Sequence, residues 1–318
     1  MKLCAFVLPS LLFGLTPSTE SPVTLQMKFD SLSNVFSSWQ GGDYFRSPVT
    51  LNGETIYLVT NNNENVGFFS IDHNDKITIA HEGEITNKNQ ILQWYTGSTY
   101  DDTILTKTTN AVSNIEHYLL PTVPDSLYVT SSDSFVSMQK IEGTPHYYNE
   151  PYGVVENGCA PTSAAMLLSF YDRYTSMTNL IDGVLPLDHS ENKTLVDQYI
   201  EELAELMNTD SIRGTSLAEL TLALDDVFDS KNYNFGGILS YSYSDYSKCI
   251  NTYHNPALVT LMVSSEMTGG LMHTTLGIGT ENVRYVGNMI VARSGDYESP
   301  SDTYITTDRF HSVIYVAR

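Results

Sequence analysis

Cysteine is scarce in this chain. Its 318 residues hold three, Cys4, Cys159 and Cys249. That is too few for a disulfide scaffold, and leaves only a single Cys159–Cys249 bridge open for a mature chain without Cys4. Basic residues are also scarce: 16 Lys and Arg face 37 Asp and Glu, for a net charge of −21. This balance works against binding nucleic acid or an anionic lipid surface through charge. Neither a C-x-x-C nor an H-E-x-x-H spacing occurs among the cysteines and the eight histidines, so no metal site and no cofactor is expected.

The only apolar run near membrane length lies at the start. "MKLCAFVLPSLLFGLTPSTES" opens with Lys2, stays apolar from Leu3 to about Leu15 and then turns to Ser, Thr, Pro and Glu. The run is too short for a membrane span and has the pattern of a secretory signal peptide over residues 1–21. The chain is therefore expected to be secreted, with no span in the mature protein. A hydrophobic fraction of 41% and 21 tyrosines indicate a folded globular protein.

Two regions of different character follow. From 22 to about 140 the chain reads as β-rich. "ETIYLVT", "NVGFFSID" and "DKITIAHEG" have strand lengths and are separated by Asn, Asp and Gly turns, while Lys28–Trp39 has helical spacing. A small antiparallel meander with a helix against it is predicted, possessing an accessory or precursor role. "TVPDS" and the Ser-rich "VTSSDSFVS" look like the boundary. From 141 to 318 helices come first. "APTSAAMLLSFYDRYTS" carries a stripe of Ala164, Leu167, Leu168, Tyr171 and Tyr174. Thr215 or Ser216 can cap a later helix, with Glu219 as the capping-box acid. Strand candidates then follow at Ala257–Val263, His273–Thr280, Asn288–Arg293 and "SVIYVA". Helices followed by an antiparallel sheet predict the α+β class. The lone "NKT" at Asn192 has the form of a glycosylation acceptor.

Chemistry concentrates at Cys159. Gly158 precedes it and Pro161 follows, which suits the first turn of a helix. There the helix dipole and the unpaired first-turn amides favour thiolate over thiol. A thiolate used in acyl transfer needs an imidazole to manage the proton. His273, at the mouth of a small, apolar strand, is the candidate. His73, His81, His117, His146, His189, His254 and His311 read as surface or turn residues. An acceptor must orient the imidazole, and a hairpin would bring either Asp296 or Ser294 back towards His273. Oxyanion donors would be the Cys159 amide and a side-chain amide, Asn157 or Asn149. Cys249 reads as a small core residue in a helical turn.

The segments "NGCAPTSAAMLLSFYD", "GTSLAELTLALDDVF" and "NPALVTLMV…MHTTLGIGT…MIVARSGDYES" together resemble the papain-like cysteine peptidases related to the bacteriocin-processing, double-glycine type. The resemblance covers about Thr144 to Arg318, and its most specific part is the Cys159–Pro161–Thr162 entrance. It implies a papain-like domain with Cys159 as nucleophile and His273 as general base. Two departures stand out. The family's Asp or Asn falls near Arg293–Ser294, with Asp296 two residues on, and no Gln occurs between Lys140 and Cys159. The N-terminal region faintly resembles the precursor segments of secreted bacterial cysteine peptidases. The expected activity is hydrolysis of peptide or protein substrates. An acyl transferase or amidase with the same dyad, and a non-catalytic papain-like binding module, are the alternatives.

Overall fold

The computed structural model describes residues 23–51, 53–85, 91, 95, 99–100, 115–148, 158–262, 271–293 and 302–318. In chain order come helix α1 (Leu25–Val35), then strands β1 (Asp43–Leu51), β2 (Glu54–Asn61), β3 (Glu64–Ile71), β4 (Ile77–Glu82) and the short β5 (Thr99–Tyr100). A hairpin of β6 (Tyr128–Ser132) and β7 (Val136–Ile141) leads to helices α2 (Cys159–Tyr174) and α3 (Lys193–Leu206). Next are β8 (Thr215–Ser216), α4 (Leu217–Ser230), β9 (Gly236–Ser240) and α5 (Tyr243–Asn251). The chain closes with β10 (Ala257–Met262), β11 (Leu271–Val283), β12 (Gly287–Arg293), β13 (Asp302–Thr306) and β14 (Phe310–Ala317). Helices mixed with a large antiparallel sheet make this an α+β fold.

The sheet runs in the order β1-β2-β3-β4-β13-β12-β11-β10-β14-β9. The N-terminal meander forms as its strand-length segments and turns imply, with α1 and the turn Ser37–Trp39 laid on it. Rings of Phe29, Phe36, Trp39, Tyr44, Tyr57 and Phe69 fill the space between. The meander is not a separate sheet. Thr303, Tyr304 and Ile305 of β13 pair with His81, Ala80 and Ile79 of β4, so strands from both regions share one sheet.

Three readings of the sequence need correction. The Ser-rich boundary segment is a β-hairpin whose second strand, β7, pairs with β11 from Lys140↔Gly279 to Val136↔Val283. Asp133 makes this hairpin possible, since its Oδ1 accepts from the amides of Phe135 and Val136. The polar side chains of β6 then suit an exposed edge. Second, α2 carries no simple stripe: Cys159 through Tyr171 are all buried, because the helix is covered on every side. Third, His81, His146 and His189 are core residues. His81 bonds Thr303 Oγ1 at 2.9 Å, and His189 links the Tyr148 amide to Asp197.

A buried ion pair joins the two ends of the chain. Glu54, on β2, meets Arg309, between β13 and β14. The carboxylate also accepts from Thr78 Oγ1 at 2.6 Å and Tyr95 OH at 3.1 Å, while Arg309 Nη1 donates to the Met262 carbonyl at 2.8 Å. Both residues are almost fully enclosed. Removing one partner leaves a buried charge uncompensated. Arg309→Ala should therefore lower stability by about 3–5 kcal/mol, and Glu54→Leu/Arg309→Met should recover most of that loss in urea unfolding.

Glu281 is a second buried carboxyl, 3% exposed, and its Oε2 has no hydrogen-bond partner among the described residues. Burial pushes its pKa from 4.5 up to about 8; Lys140 opposes the shift, and Asp302 and Asp133 add to it. The native state thus holds a proton that the unfolded chain releases, and stability falls as pH rises through this interval. Relative to Glu281→Gln, the native sequence should lose up to about 4 kcal/mol between pH 5 and pH 8, measured by urea unfolding at each pH.

Candidate functional site

Cys159 is the first residue of α2, and Gly158 caps the helix without a side-chain bond. The first-turn amides of Cys159 and Ala160 have no acceptor within the helix, and Pro161 contributes no donor. The sulfur therefore sits where the helix offers positive potential. What holds it there is β11.

The long strand β11 has different neighbours along each edge. On one edge β10 pairs with Met272 to Gly277, and β7 with Gly279 to Val283. On the other, β5 pairs with Leu271 and Met272, and β12 from Leu276 onward. Residues 273–275 lie in the interval between β5 and β12. The first turn of α2 fills it. The Thr274 amide donates to Cys159 Sγ at 3.5 Å, and the Thr274 carbonyl accepts from Ser163 Oγ at 3.1 Å. Cys159 and Ser163 are four residues apart and share a helix face. Together they take both backbone groups of one strand residue.

Hydroxyls also stand beside the sulfur. Thr99 Oγ1 lies 3.3 Å from Cys159 Sγ and accepts from Thr274 Oγ1 at 3.0 Å, and Thr274 Oγ1 lies 3.1 Å from Thr260 Oγ1. His273 precedes Thr274 on β11 and is buried, 3% exposed; Cys159 is 9% exposed. Strand β11 thus brings the two sequence candidates to one place, with the imidazole residue adjacent to the amide that holds the thiol.

The other expected residues divide cleanly. The β11–β12 hairpin forms and sets Arg293 opposite Leu276, which carries the chain back towards His273. Asp296, Ser294, Asn157 and Asn149 lie outside the described residues. Cys159 and Cys249 are not disulfide-bonded, which removes the bridge left open by composition. Cys249 is fully buried in α5, and burial, then the charge of Asp245, pushes its thiol far up. Sequence reasoning missed Thr99. A two-residue strand among Gly, Ser and Thr leaves no periodic signal.

Among the described residues no His, Cys, Asp and Glu group could hold a metal ion, and no helix is long and apolar enough to cross a membrane. A cavity of about 490 Å³ is lined by Ser38, Glu82, Lys140, Arg293, Asp302 and Tyr304 among others, but by none of Cys159, Thr99 or His273. Geometry and chemistry, not cavity size, single out the thiol.

Ser163 can be tested as the anchor of the helix entrance. Ser163→Ala leaves the buried Thr274 carbonyl without this donor, so it should cost about 1–3 kcal/mol in urea unfolding.

No protein-family model matches the chain, and no curated protein matches it.

Proposed function

We propose that the chain is a papain-like cysteine peptidase, expected to be secreted, in which Cys159 is the nucleophile and His273 the general base. The observation that carries this reading is the Thr274 amide on Cys159 Sγ, 3.5 Å away. It joins a thiol at a helix N-terminus to the strand residue next to a histidine. A thiol at a helix N-terminus, held by the amide next to a histidine residue, suits thiolate chemistry.

The sulfur attacks a peptide carbonyl as the thiolate, and a tetrahedral intermediate forms. Its oxyanion takes the Cys159 amide, a first-turn donor aimed away from the helix. His273 gives its proton to the departing amine, leaving a thioester. Water, deprotonated by His273, then attacks that thioester and releases the acid and the thiol. Asp296 or Ser294 would orient the imidazole, and Asn149 or Asn157 would add an oxyanion donor. An amidase or acyl transferase would use the same dyad, with another amide or another acceptor in place of peptide and water.

The burial of both Cys159 and His273 favours one further reading, a non-catalytic binding module. Turnover decides between them. Incubated with a mixed peptide library, the protein should release new N-termini, read by mass spectrometry. Cys159→Ala and His273→Ala should each lower that rate by at least about 10³-fold. Cleavage that survives Cys159→Ala would sink the peptidase reading.

A further inference from the structure

The cavity of about 490 Å³ lies where the two regions join, and both contribute to its lining. On the N-terminal side, β3, β4 and the residues just after β4 supply Glu64, Glu82 and Glu84. On the C-terminal side, β7, β12 and β13 supply Lys140, Arg293 and Asp302. The volume suits a small ligand, and the charged lining suits a polar one.

The charges on the two sides are unequally matched. Lys140 is held by Asp302 at 2.8 Å and by Glu142 at 3.2 Å, so its charge is already neutralised. Arg293 is not held in this way. Its guanidinium reaches Asp302 and the Thr144 hydroxyl only at 3.4 Å each, and its Nε has no hydrogen-bond partner among the described residues, although the side chain is just 13% exposed. A guanidinium has five N–H donors, and buried donors call for acceptors. Tyr304, 7% exposed, also lines the cavity, and its hydroxyl makes no hydrogen bond among the described residues. The N-terminal side has the opposite surplus. Glu82 Oε1 accepts from the Ser38 amide and hydroxyl at 2.8 and 2.7 Å, but no Lys or Arg lines that side, and Glu64, Glu82 and Glu84 form no ion pair among the described residues.

A ligand with a single charge would match one side and be opposed by the other. An anion suited to Arg293 meets three carboxylates, and a cation suited to the carboxylates leaves the guanidinium donors unmet. We propose that this cavity binds a small zwitterion of the amino-acid type, with its carboxylate on Arg293 and its ammonium on Glu82 and the neighbouring glutamates. The Tyr304 hydroxyl is a further donor to the carboxylate. Bound there, the ligand bridges the meander and the C-terminal strands. Neither Cys159 nor His273 lines the cavity, so the inference does not rest on the peptidase reading.

Probes without a peptide bond test this, since no peptidase consumes them. Glycine, 4-aminobutyrate and 6-aminohexanoate separate the two charges by increasing lengths. In calorimetric titration of the full chain, at least one should bind with a Kd below about 10 mM. The alkylamine and the alkanoate of the same chain length, each lacking one charge, should bind at least about tenfold more weakly. Arg293→Gln and Glu82→Gln should each weaken the zwitterion by about tenfold or more, the scale of a lost hydrogen bond to a charged group. Glutamine at position 82 keeps an acceptor for Ser38. Should either variant fail to fold, the double variant Glu64→Gln/Glu84→Gln, at two exposed positions, should weaken the zwitterion and leave the alkanoate no weaker.

Binding by none of the three probes would overturn the inference. So would an alkylamine or an alkanoate that binds as tightly as the zwitterion, or a Kd that a folded Arg293→Gln or Glu82→Gln leaves unchanged. Cys159→Ala should leave the Kd unchanged whether or not it abolishes peptide hydrolysis, so this site and the peptidase stand or fall separately.

Discussion

The structure turns on one strand residue that gives its outward backbone groups to a helix. An interior strand is flanked by strands because its amides and carbonyls must be satisfied. At Thr274 that requirement is met by Cys159 and Ser163, one helical turn apart. The helix start is thereby locked to one point on β11, and the thiol with it. Burial follows, because a helix whose first turn enters a sheet interval must be covered along its length. That explains why α2 is enclosed from Cys159 to Tyr171. A surface helix could not present a sulfur to a strand amide in this way.

The N-terminal region is tied to this centre by two routes of unequal strength. One is permanent in character: the β4–β13 ladder and the Glu54–Arg309 pair. An ion pair that deep is a poor source of net stability, because desolvation offsets its attraction. Its value is specificity, since neither charge is tolerated without the other. The pair fixes β2 against the turn between β13 and β14 and holds the end of β10 through the Met262 carbonyl. The other route is β5, brief and placed at the chemistry.

Much of the local structure was legible from residue patterns. The capping box formed as read, with Ser216 as the cap and Glu219 reaching back, because its bonds are local. The strands of the meander formed where strand-length apolar runs lie between turn residues. Failures occurred where distant partners decide. The hairpin β6–β7 looks like a linker because its serines face water, and only pairing with β11 makes it a strand. His81 and His189 are buried because Thr303 and Asp197 wait for them, which no spacing reveals. The helix entrance at Cys159 was legible from Gly158 and Pro161, whereas His273, read as opening a strand, is the third residue of β11. Thr99 was not legible, since its importance lies in a pairing across 60 residues to the sulfur.

Net charge poses a last constraint on the thiol. A chain at −21 repels additional negative charge, so the proposed thiolate would have to be favoured locally against the average field. Distance decides which field counts. At physiological salt exposed charges are largely screened beyond about 8 Å, whereas the Thr274 amide acts on the sulfur at 3.5 Å and the Thr99 hydroxyl at 3.3 Å. Both contacts lie in a buried setting, where a hydrogen bond is electrostatically stronger than in water. The same enclosure raises the cost of any charge that lacks donors, as Cys249 illustrates: deep burial beside Asp245 drives its thiol pKa far up. Cys159 stands in different surroundings, at a helix start beside a strand amide.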